Sequence, residues 1–393
     1  MKILIAFDKF KDCIGSKEVG DLLAKSIESS WLEQTCSLDI DVISISDGGE
    51  GFLKSLTLPL DLTIQRCIVT GPLGNKIESM YGYNKDSGIG VVEMALASGI
   101  ELVPSESRNP LNTTTKGTGE LISHAINTNG LKRIIIGAGG SATNDGGLGA
   151  LNALGVKVTL NNGEQPDTIY GRHLEQLESV VIDNDLLERL KGVTFEFSTD
   201  VVSPFVGPKG AVNIFAKQKG ASSEERVRLE RGMINLNKLF PVDISQVEGT
   251  GAAGGLAGGF VSIFNARIRK GIDYVCQLIN VEDKIKQADI IITGEGCFDR
   301  SSLEGKAVSK FLDYGRQNQK KVIIICGVRK DNDNDEHDAD IKLEKDIDIG
   351  HGATAIFDLV SRYGRDESMH NIGQCLDRLV ASDLIKCIVE APL

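Results

Sequence analysis

The sequence predicts an α/β protein with two α/β domains, one built on a mostly parallel sheet and the other a mixed α/β domain inserted in it. Three observations lead to this prediction. Short apolar runs each end at a turn rich in Gly or Asp, amphipathic helical segments occur between these runs, and one stretch alternates as antiparallel strands do. The chain has 393 residues, more than one hydrophobic core usually holds.

The apolar runs are typical of strands in a buried parallel sheet. They cover residues 3–7, 42–45, 134–136, 290–292 and 322–325. Apolar residues recur at three- and four-residue spacing, as in helices, over residues 16–28, 117–126, 145–154, 222–239 and 369–384. Because ligands of open α/β sheets bind beyond the carboxyl ends of the strands, we expect functional residues directly after the apolar runs.

The alternating stretch marks the second domain. Residues 61–102 resemble antiparallel strands joined by Gly turns, and the stretch from residue 155 through 195–215 is again strand-like and mixed. We therefore expect the parallel-sheet domain to comprise residues 1–62, 103–150 and 284–393. The inserted domain would comprise residues 63–102 and 151–283.

Composition argues against several classes of protein. A formal charge of −12 repels nucleic acid and anionic lipid, so neither is an expected partner. The eight cysteines show no C-x-x-C pair, zinc spacing or disulfide framework. The chain opens on a strand pattern and contains no apolar run long enough for a membrane span, so a cytoplasmic protein is expected. The acidic segment 331–340 is interpreted as a solvated surface insertion.

The segment 137–147, GAGGSATNDGG, follows a predicted strand and precedes a predicted helix. Backbone N–H groups and the positive end of the helix dipole would then favour an anion. We predict that this loop binds substrate through Ser141, Thr143, Asn144 and Asp145. The alternative is that Asp145 caps the helix and the glycines only permit close packing.

The segment 294–306, GEGCFDRSSLEGK, also follows a predicted strand. It is not a Walker A sequence, because Arg300 and Ala307 occupy positions that the pattern reserves for Gly and Ser or Thr. A helix-capping turn with an exposed lysine is an equal alternative. The predicted nucleotide-binding residues are Gly294, Glu295, Gly296 and Lys306, and the predicted Mg²⁺ ligands are Asp47, Glu295 and Asp299.

Further charged residues follow the predicted strands. Asp8 and Lys11 follow the first, Asp47 follows the second, and Asp200 follows the strand-like residues 193–197. Phosphoryl transfer needs such groups, because cations offset the phosphoryl charge and a carboxylate orients or deprotonates the attacking hydroxyl. Each acid could instead be a turn residue bonded to backbone N–H groups.

The segment 249–259 contains a G-x-G-x-x-G match at Gly249, Gly251 and Gly254. This would suit an NAD-dependent dehydrogenase, but the residues before it make a poor strand. Close packing or a loop near the cleft is the favoured interpretation.

With these segments the chain resembles the type 1 glycerate kinases nearly end to end. The family's D-S-F-K opening is DKFK at residues 8–11, with Lys9 in place of Ser, and Cys297 and Phe298 stand where the family usually has Arg-Ile. The family-like segments, in order, are DGGEG at 47–51, VTGPLG at 69–74, EMALASG at 93–99, NPLNTTTKGTGEL at 109–121, GGSATNDGG at 139–147, GPKGAVNIFAKQKGA at 207–221, GAAGGLAGG at 251–259 and TGEGCFDRSSLEGK at 293–306.

The resemblance implies two α/β domains, one of them Rossmann-like, and a kinase that uses ATP and Mg²⁺ to phosphorylate D-glycerate, usually to 2-phosphoglycerate. We expect catalytic roles for Asp200, Lys11 and Asp8 because each follows a predicted strand. Asp200 is the expected general base, since its segment also resembles the family's D-V-x-x-P turn; Asp8 and Asp145 are competing candidates for the base. A kinase for a related hydroxy acid, a dehydrogenase and a catalytically silent nucleotide-binding regulator remain alternatives. A homo-oligomer is compatible with the sequence.

Overall fold

The computed structural model describes residues 1–11, 13–31, 37–46, 48–303, 305–330 and 353–390. The predicted Mg²⁺ ligand Asp47 and the acidic segment 331–340 lie outside the described residues. The strands are β1 (Lys2–Phe7), β2 (Asp39–Ser44), β3 (Thr63–Thr70), β4 (Lys76–Asn84), β5 (Ile89–Glu93), β6 (Arg133–Gly137), β7 (Lys157–Leu160), β8 (Leu177–Val181), β9 (Thr194–Ser198), β10 (Arg267–Arg269), β11 (Ile290–Gly294), β12 (Cys297–Phe298), β13 (Lys321–Cys326), β14 (Val328–Arg329) and β15 (Ala355–Asp358).

The α-helices are α1 (Ser16–Ser30), α2 (Phe52–Thr57), α3 (Ala95–Ser98), α4 (Lys116–Asn129), α5 (Leu148–Leu154), α6 (Asn184–Arg189), α7 (Ala211–Phe215), α8 (Ser223–Leu239), α9 (Leu256–Phe264), α10 (Gly271–Leu278), α11 (Val281–Gln287), α12 (Ala307–Asn318), α13 (Leu359–Tyr363), α14 (Arg365–His370), α15 (Ile372–Leu379) and α16 (Ile385–Glu390). Two compact units result: residues 1–46 with 276–393 form unit 1, and residues 47–275, inserted between these segments, form unit 2. Within the described residues, none of the helices has both the length and the apolar composition required to cross a bilayer.

Unit 1 is the predicted parallel-sheet domain. Its main sheet has the strand order β15-β13-β11-β1-β2, and every neighbouring pair is parallel. The three central strands, β1, β11 and β13, are rich in isoleucine and almost wholly buried, as expected in a parallel sheet covered on both faces. On α1, Val19, Leu23 and Ile27 repeat every four residues and are fully buried, which fixes the helix against the sheet and α15.

Unit 2 contains the mixed sheet, with the order β10-β9-β6-β5-β4-β3. Strands β3, β4 and β5 are antiparallel, which confirms the pattern predicted for residues 61–102, whereas β5, β6, β9 and β10 are parallel. Phe195 and Phe197 on β9 pack on Phe260 of α9, with ring centroids 5.2 and 5.4 Å apart. This core fixes the end of β9, where the candidate site begins.

The borders of the two units differ from the expected domain borders. Residues 134–136 were expected in the first domain, but β6 pairs with β5 and β9 in unit 2. Residues 47–62 and 103–150 therefore belong to unit 2, and residues 276–283 belong to unit 1. The physical reason is that a buried parallel strand has the same apolar composition in either sheet, so composition does not identify its partners.

Candidate active site

The carboxyl ends of β6 and β9 lie side by side in unit 2. Gly137 is in register with Ser198, and the Ala138 amide donates a 3.2 Å hydrogen bond to the Ser198 carbonyl. The segments that follow the two strands therefore leave the sheet at the same edge. Parallel sheets bind ligands at this edge, and the structure brings the predicted loop 138–145 and Asp200 to it.

A turn at Gly48 and Gly49 packs directly on this edge. The Gly139 amide donates a 2.9 Å hydrogen bond to the Gly48 carbonyl. A Cβ atom on Gly139 would lie 2.4 Å from the Gly49 Cα, so a residue with a side chain cannot take this position without moving the turn. The described glycines of the DGGEG segment thus form part of the site.

Two neighbouring cavities open beside these segments. The larger, of about 400 Å³, is lined by Gly48, Gly49, Gly139, Thr199, Asp200, Val201, Val202, Ser203 and Phe215. The smaller, of about 290 Å³, is lined by Ile100, Arg108, Ala138, Gly139, Gly140, Ser141, Val201, Phe215, Gln218, Lys219, Ala253 and Gly254. Both volumes are near the lower limit of small-molecule sites. Arg108, Phe215 and Lys219 had no role in the sequence-based prediction, although Phe215 and Lys219 lie in the family-like segment 207–221.

Asp200 is exposed on the wall of the larger cavity. Its Oδ1 atom accepts a 2.9 Å hydrogen bond from the Gly271 amide at the start of α10. The hydrogen bond from the Gly271 amide therefore orients the Asp200 carboxylate at the cavity wall.

Asp145 is fully buried and holds the loop together. Its carboxylate accepts hydrogen bonds from the Thr115 amide (2.7 Å) and hydroxyl (2.8 Å) and from the amides of Gly147 (3.1 Å) and Gly149 (3.3 Å). Burial raises the pKa of Asp145, while these four hydrogen bonds favour its charged form. Helix α5 begins at Leu148 and not at Asp145, and the amides at its start bind Asp145, so the expected anion cradle at this helix end is occupied by the protein's own carboxylate.

Thr143 and Asn144 are also fully buried, but their side chains are unsatisfied. The Thr143 hydroxyl and both polar atoms of the Asn144 amide have no hydrogen-bond partner within the described part of the chain. The Ser198 hydroxyl at the end of β9 shares this property. Since buried polar groups are nearly always paired, these unpaired groups indicate that the site is completed by a ligand or by water.

Lys219 is 4% exposed and ends a short 3₁₀ turn, Lys217–Lys219. Its Nζ donates 2.7 Å hydrogen bonds to the Ser141 hydroxyl and to the Thr143 carbonyl. Burial lowers the pKa of Lys219 to about 7, although the negative charge of Asp145 acts in the opposite direction. The lysine thus links α7 and the turn after it to the loop that follows β6.

Two residues of the glycine-rich segment 249–255, Ala253 and Gly254, line the smaller cavity. Gly254 has φ +67°, and a Cβ atom there would lie 1.9 Å from the Thr143 carbonyl oxygen. The residues before this segment, 240–248, form turns, bends and irregular backbone, without the strand that a dinucleotide-binding loop requires. Close packing, the favoured interpretation, explains these glycines.

Unit 1 carries a second group of predicted residues where β1 and β11 end. Phe7 is in register with Gly294, and the Asp8 amide donates a 3.0 Å hydrogen bond to the Gly294 carbonyl. A Cβ atom on Gly296 would lie 3.1 Å from the Lys11 amide nitrogen, so the two turns are in contact. The structure thereby brings together the predicted catalytic and nucleotide-binding residues of this unit.

The charged side chains of this group influence one another. Burial raises the pKa of Glu295, and the negative charges of Asp8 and Asp299 raise it further, whereas a hydrogen bond from Ser302 and the charge of Lys306 lower it. A 2.6 Å hydrogen bond from the Ser301 hydroxyl is the main cause that lowers the pKa of Asp299. Lys306 Nζ donates to the same hydroxyl at 2.6 Å.

These residues fit a magnesium ion of the kind that kinases use. Glu295 Oε1 is buried and has no hydrogen-bond partner among the residues that the structure describes. Within those residues, no three His, Cys, Asp or Glu side chains form a metal-binding group. Mg²⁺ in nucleotide enzymes is held by one or two carboxylates together with phosphates and water, so a complete protein cage is not required.

Comparison with known proteins agrees with the resemblance noted in the sequence. The model of the Glycerate kinase family matches residues 3–365. Glycerate 2-kinase of Escherichia coli strain K12 is 36% identical over 370 residues, covering 93% of this chain and 92% of that protein. A glycerate kinase of Bacillus cereus is 39% identical over 336 residues, covering 83% of this chain and 85% of the relative.

A solved structure gives the same result for the fold. The crystal structure from Salmonella typhimurium LT2 assigned to glycerate kinase 2 superposes with a TM-score of 0.79 at 31% identity, and the match covers 100% of both chains. The mixed α/β architecture is thus shared over the whole length. The chain described here belongs to the glycerate kinase family.

Proposed function

We propose that this protein transfers the γ-phosphoryl group of ATP to a hydroxyl of D-glycerate, giving ADP and phosphoglycerate, with 2-phosphoglycerate as the expected product. The observation that carries the proposal is the similarity, over more than nine tenths of the chain, to a relative named glycerate 2-kinase. The site chemistry supports it, because a small cavity with a carboxylate on its wall suits a hydroxy acid, and lysines beside carboxylates suit a nucleotide.

In unit 2, we assign glycerate to the cavities beside β6 and β9. Ser141, Thr143 and Asn144 would hydrogen-bond the substrate. Two observations support this: Ser141 lines the smaller cavity, and the buried side chains of Thr143 and Asn144 have unpaired polar atoms within the described residues. Asp145 enters as a positioning residue, since its carboxylate is engaged by the loop's own groups. Asp200 would take the hydroxyl proton as the hydroxyl oxygen attacks the γ-phosphorus and the bond from that phosphorus to the β,γ-bridging oxygen breaks.

In unit 1, we assign the phosphates of ATP to the turns after β1 and β11. Lys11 and Lys306 would offset the negative charge on the phosphoryl oxygens, and the backbone of Gly294 and Gly296 would allow a close approach. Glu295 and Asp299 would hold Mg²⁺, with Asp8 beside them; Asp47 stays a prediction outside the described residues. When bound, Mg²⁺ supplies charge neutralisation on the phosphate oxygens.

We also propose that the protein acts in the cytoplasm. The described cysteines, at positions 13, 67, 276, 297, 326, 375 and 387, form no disulfide within the described part of the chain. Free thiols are typical of a reducing compartment, which supports the cytoplasm as the place of action.

Measurement of ADP release tests the function against its alternatives. Purified protein with MgATP should release ADP when D-glycerate is added, and far less with glycerol, which lacks the carboxylate. ATP binding without glycerate-dependent ADP release would identify a silent regulator instead. A fluorescence or thermal shift with NADH would favour the dehydrogenase, for which the turn geometry before Gly249 gives no support.

A further inference from the structure

The smaller cavity of unit 2 has a distinct charge. Its lining includes two cationic side chains, Arg108 and Lys219, and none of its lining residues is Asp or Glu. The remaining lining groups are small, apolar or uncharged polar residues. A cavity of about 290 Å³ with this lining is complementary to a small anion.

The ammonium of Lys219 is held in a defined position on this wall. Two of its three N–H groups are directed to the Ser141 hydroxyl and the Thr143 carbonyl, each at 2.7 Å. An ammonium has three donors, and no third hydrogen bond to the described residues occurs. The lysine therefore retains a donor for a ligand in the cavity that its side chain lines.

A second observation at the same loop also indicates a ligand. Both polar atoms of the Asn144 amide and the Thr143 hydroxyl are buried without partners in the described part of the chain. The Thr143 carbonyl is one of the two acceptors of Lys219, so the unpaired groups lie in the segment that the ammonium contacts. Thr143 and Asn144 are not among the residues that line the smaller cavity, so the group of this cluster that reaches a bound molecule is the Lys219 ammonium.

We propose that Lys219 is a substrate-binding and specificity-determining residue, which binds the carboxylate of the hydroxy acid in the smaller cavity. This inference rests on the proposed function and extends it, because it assigns the part of the substrate that distinguishes a hydroxy acid from a neutral polyol. Arg108 also lines this cavity, but its guanidinium lies 3.7 Å from the Glu101 carboxylate and its Nε donates to the Val103 carbonyl, so Lys219 is the cation assigned to the substrate.

The buried position makes the lysine sensitive to its ligand. Burial lowers the pKa of Lys219 to about 7, and the surrounding charges are Asp145, which favours the protonated form, and Arg108 on the same cavity. A carboxylate that binds the ammonium will hold its proton, because an opposite charge favours the charged form. Binding of glycerate above pH 7 should therefore take up a proton.

Lys219→Met is the direct test, with Lys217→Met as a matched control on an exposed lysine of the same turn. Loss of a hydrogen bond between charged groups should raise the KM for D-glycerate by about 10- to 100-fold. The KM for ATP should stay within about twofold, and Lys219→Arg should recover part of the loss. An unchanged KM for glycerate in Lys219→Met would overturn the proposal.

Calorimetry on the wild-type protein provides a test that needs no folded variant. Titrating D-glycerate at about pH 8 in two buffers of different ionisation enthalpy should reveal proton uptake on binding, because a group with a pKa of about 7 is mostly deprotonated there. Glycerate binding without proton uptake would contradict the role of Lys219. Absence of turnover in the wild type, with glycerate bound and a proton taken up, would instead contradict the proposed function alone.

Discussion

Asp200 Oδ1 and the Gly271 amide are joined by a 2.9 Å hydrogen bond that fixes the Asp200 carboxylate on the wall of the larger cavity. The side chain is at the same time exposed, so it is both oriented and accessible. Among the three acids considered for the base, Asp145 is fully buried and Asp8 belongs to the turns of unit 1 to which we assign the ATP phosphates. This combination of accessibility and orientation favours Asp200.

Asp200→Asn should lower kcat by about 10²- to 10⁴-fold, because the amide cannot accept the hydroxyl proton. The amide oxygen can still accept the hydrogen bond from Gly271, so the KM for glycerate and the melting temperature should change little. Steady-state kinetics and thermal unfolding measure both effects.

Asp183→Asn is the matched control for this experiment. Asp183 also accepts a backbone amide, that of Leu186 at 2.9 Å, but it caps α6 and lines neither cavity. Near-normal kcat in Asp200→Asn, with activity abolished in Asp8→Asn or Asp145→Asn, would show that the base was assigned to the wrong residue.

Asp145→Ala should lower the free energy of unfolding by about 3 kcal/mol or more. Removing the carboxylate leaves the buried Thr115 and Gly147 groups without their acceptor, and unsatisfied buried donors are costly. Denaturant titration measures the loss, and Asp185→Ala on the exposed first turn of α6 should be nearly neutral. Native stability of Asp145→Ala combined with lost glycerate binding would make Asp145 a substrate ligand instead of a positioning residue.

The sequence predicts the individual strands but neither the sheet to which each buried strand belongs nor the role of Lys219. The strands before Asp8 and Glu295 follow from apolar runs, and the antiparallel strands of residues 61–102 follow from alternation, because these patterns depend on local burial. The sheet that contains β6 does not follow, since a buried strand can pair equally well in either sheet. Lys219 was missed because its role depends on a contact with Ser141, 78 residues away in the sequence.

Lys11→Met and Lys306→Met should each lower kcat by about 10²-fold, the scale expected for loss of a charged group that stabilises the transition state. Lys306 is positioned by its hydrogen bond to Ser301, and Lys11 by the contact of its turn with Gly296. Lys25→Met, on the exposed face of α1, is the control. Wild-type rates in both site variants would place the phosphate site elsewhere.

The stability contribution of Lys219 should depend on pH. An unfolded lysine keeps its proton up to about the ordinary pKa of 10.5, whereas burial lowers the pKa in the folded protein to about 7. Between these values the unfolded state binds more protons, so the unfolding free energy of the ligand-free wild type, relative to that of Lys219→Met, should rise with pH. Denaturant titrations at about pH 7.5, 8.5 and 9.5 measure this difference in unfolding free energy. A difference that does not change with pH would contradict the lowered pKa.

Phosphorus NMR of the wild-type protein incubated with MgATP and D-glycerate tests the central claim most directly. The account predicts that the γ-phosphate resonance of ATP declines while ADP and 2-phosphoglycerate resonances grow together, and that omission of D-glycerate abolishes both. A 3-phosphoglycerate resonance would contradict the expected position of transfer. Unchanged ATP, or ADP with inorganic phosphate and no phosphoglycerate, would contradict the assignment of this chain as a glycerate kinase.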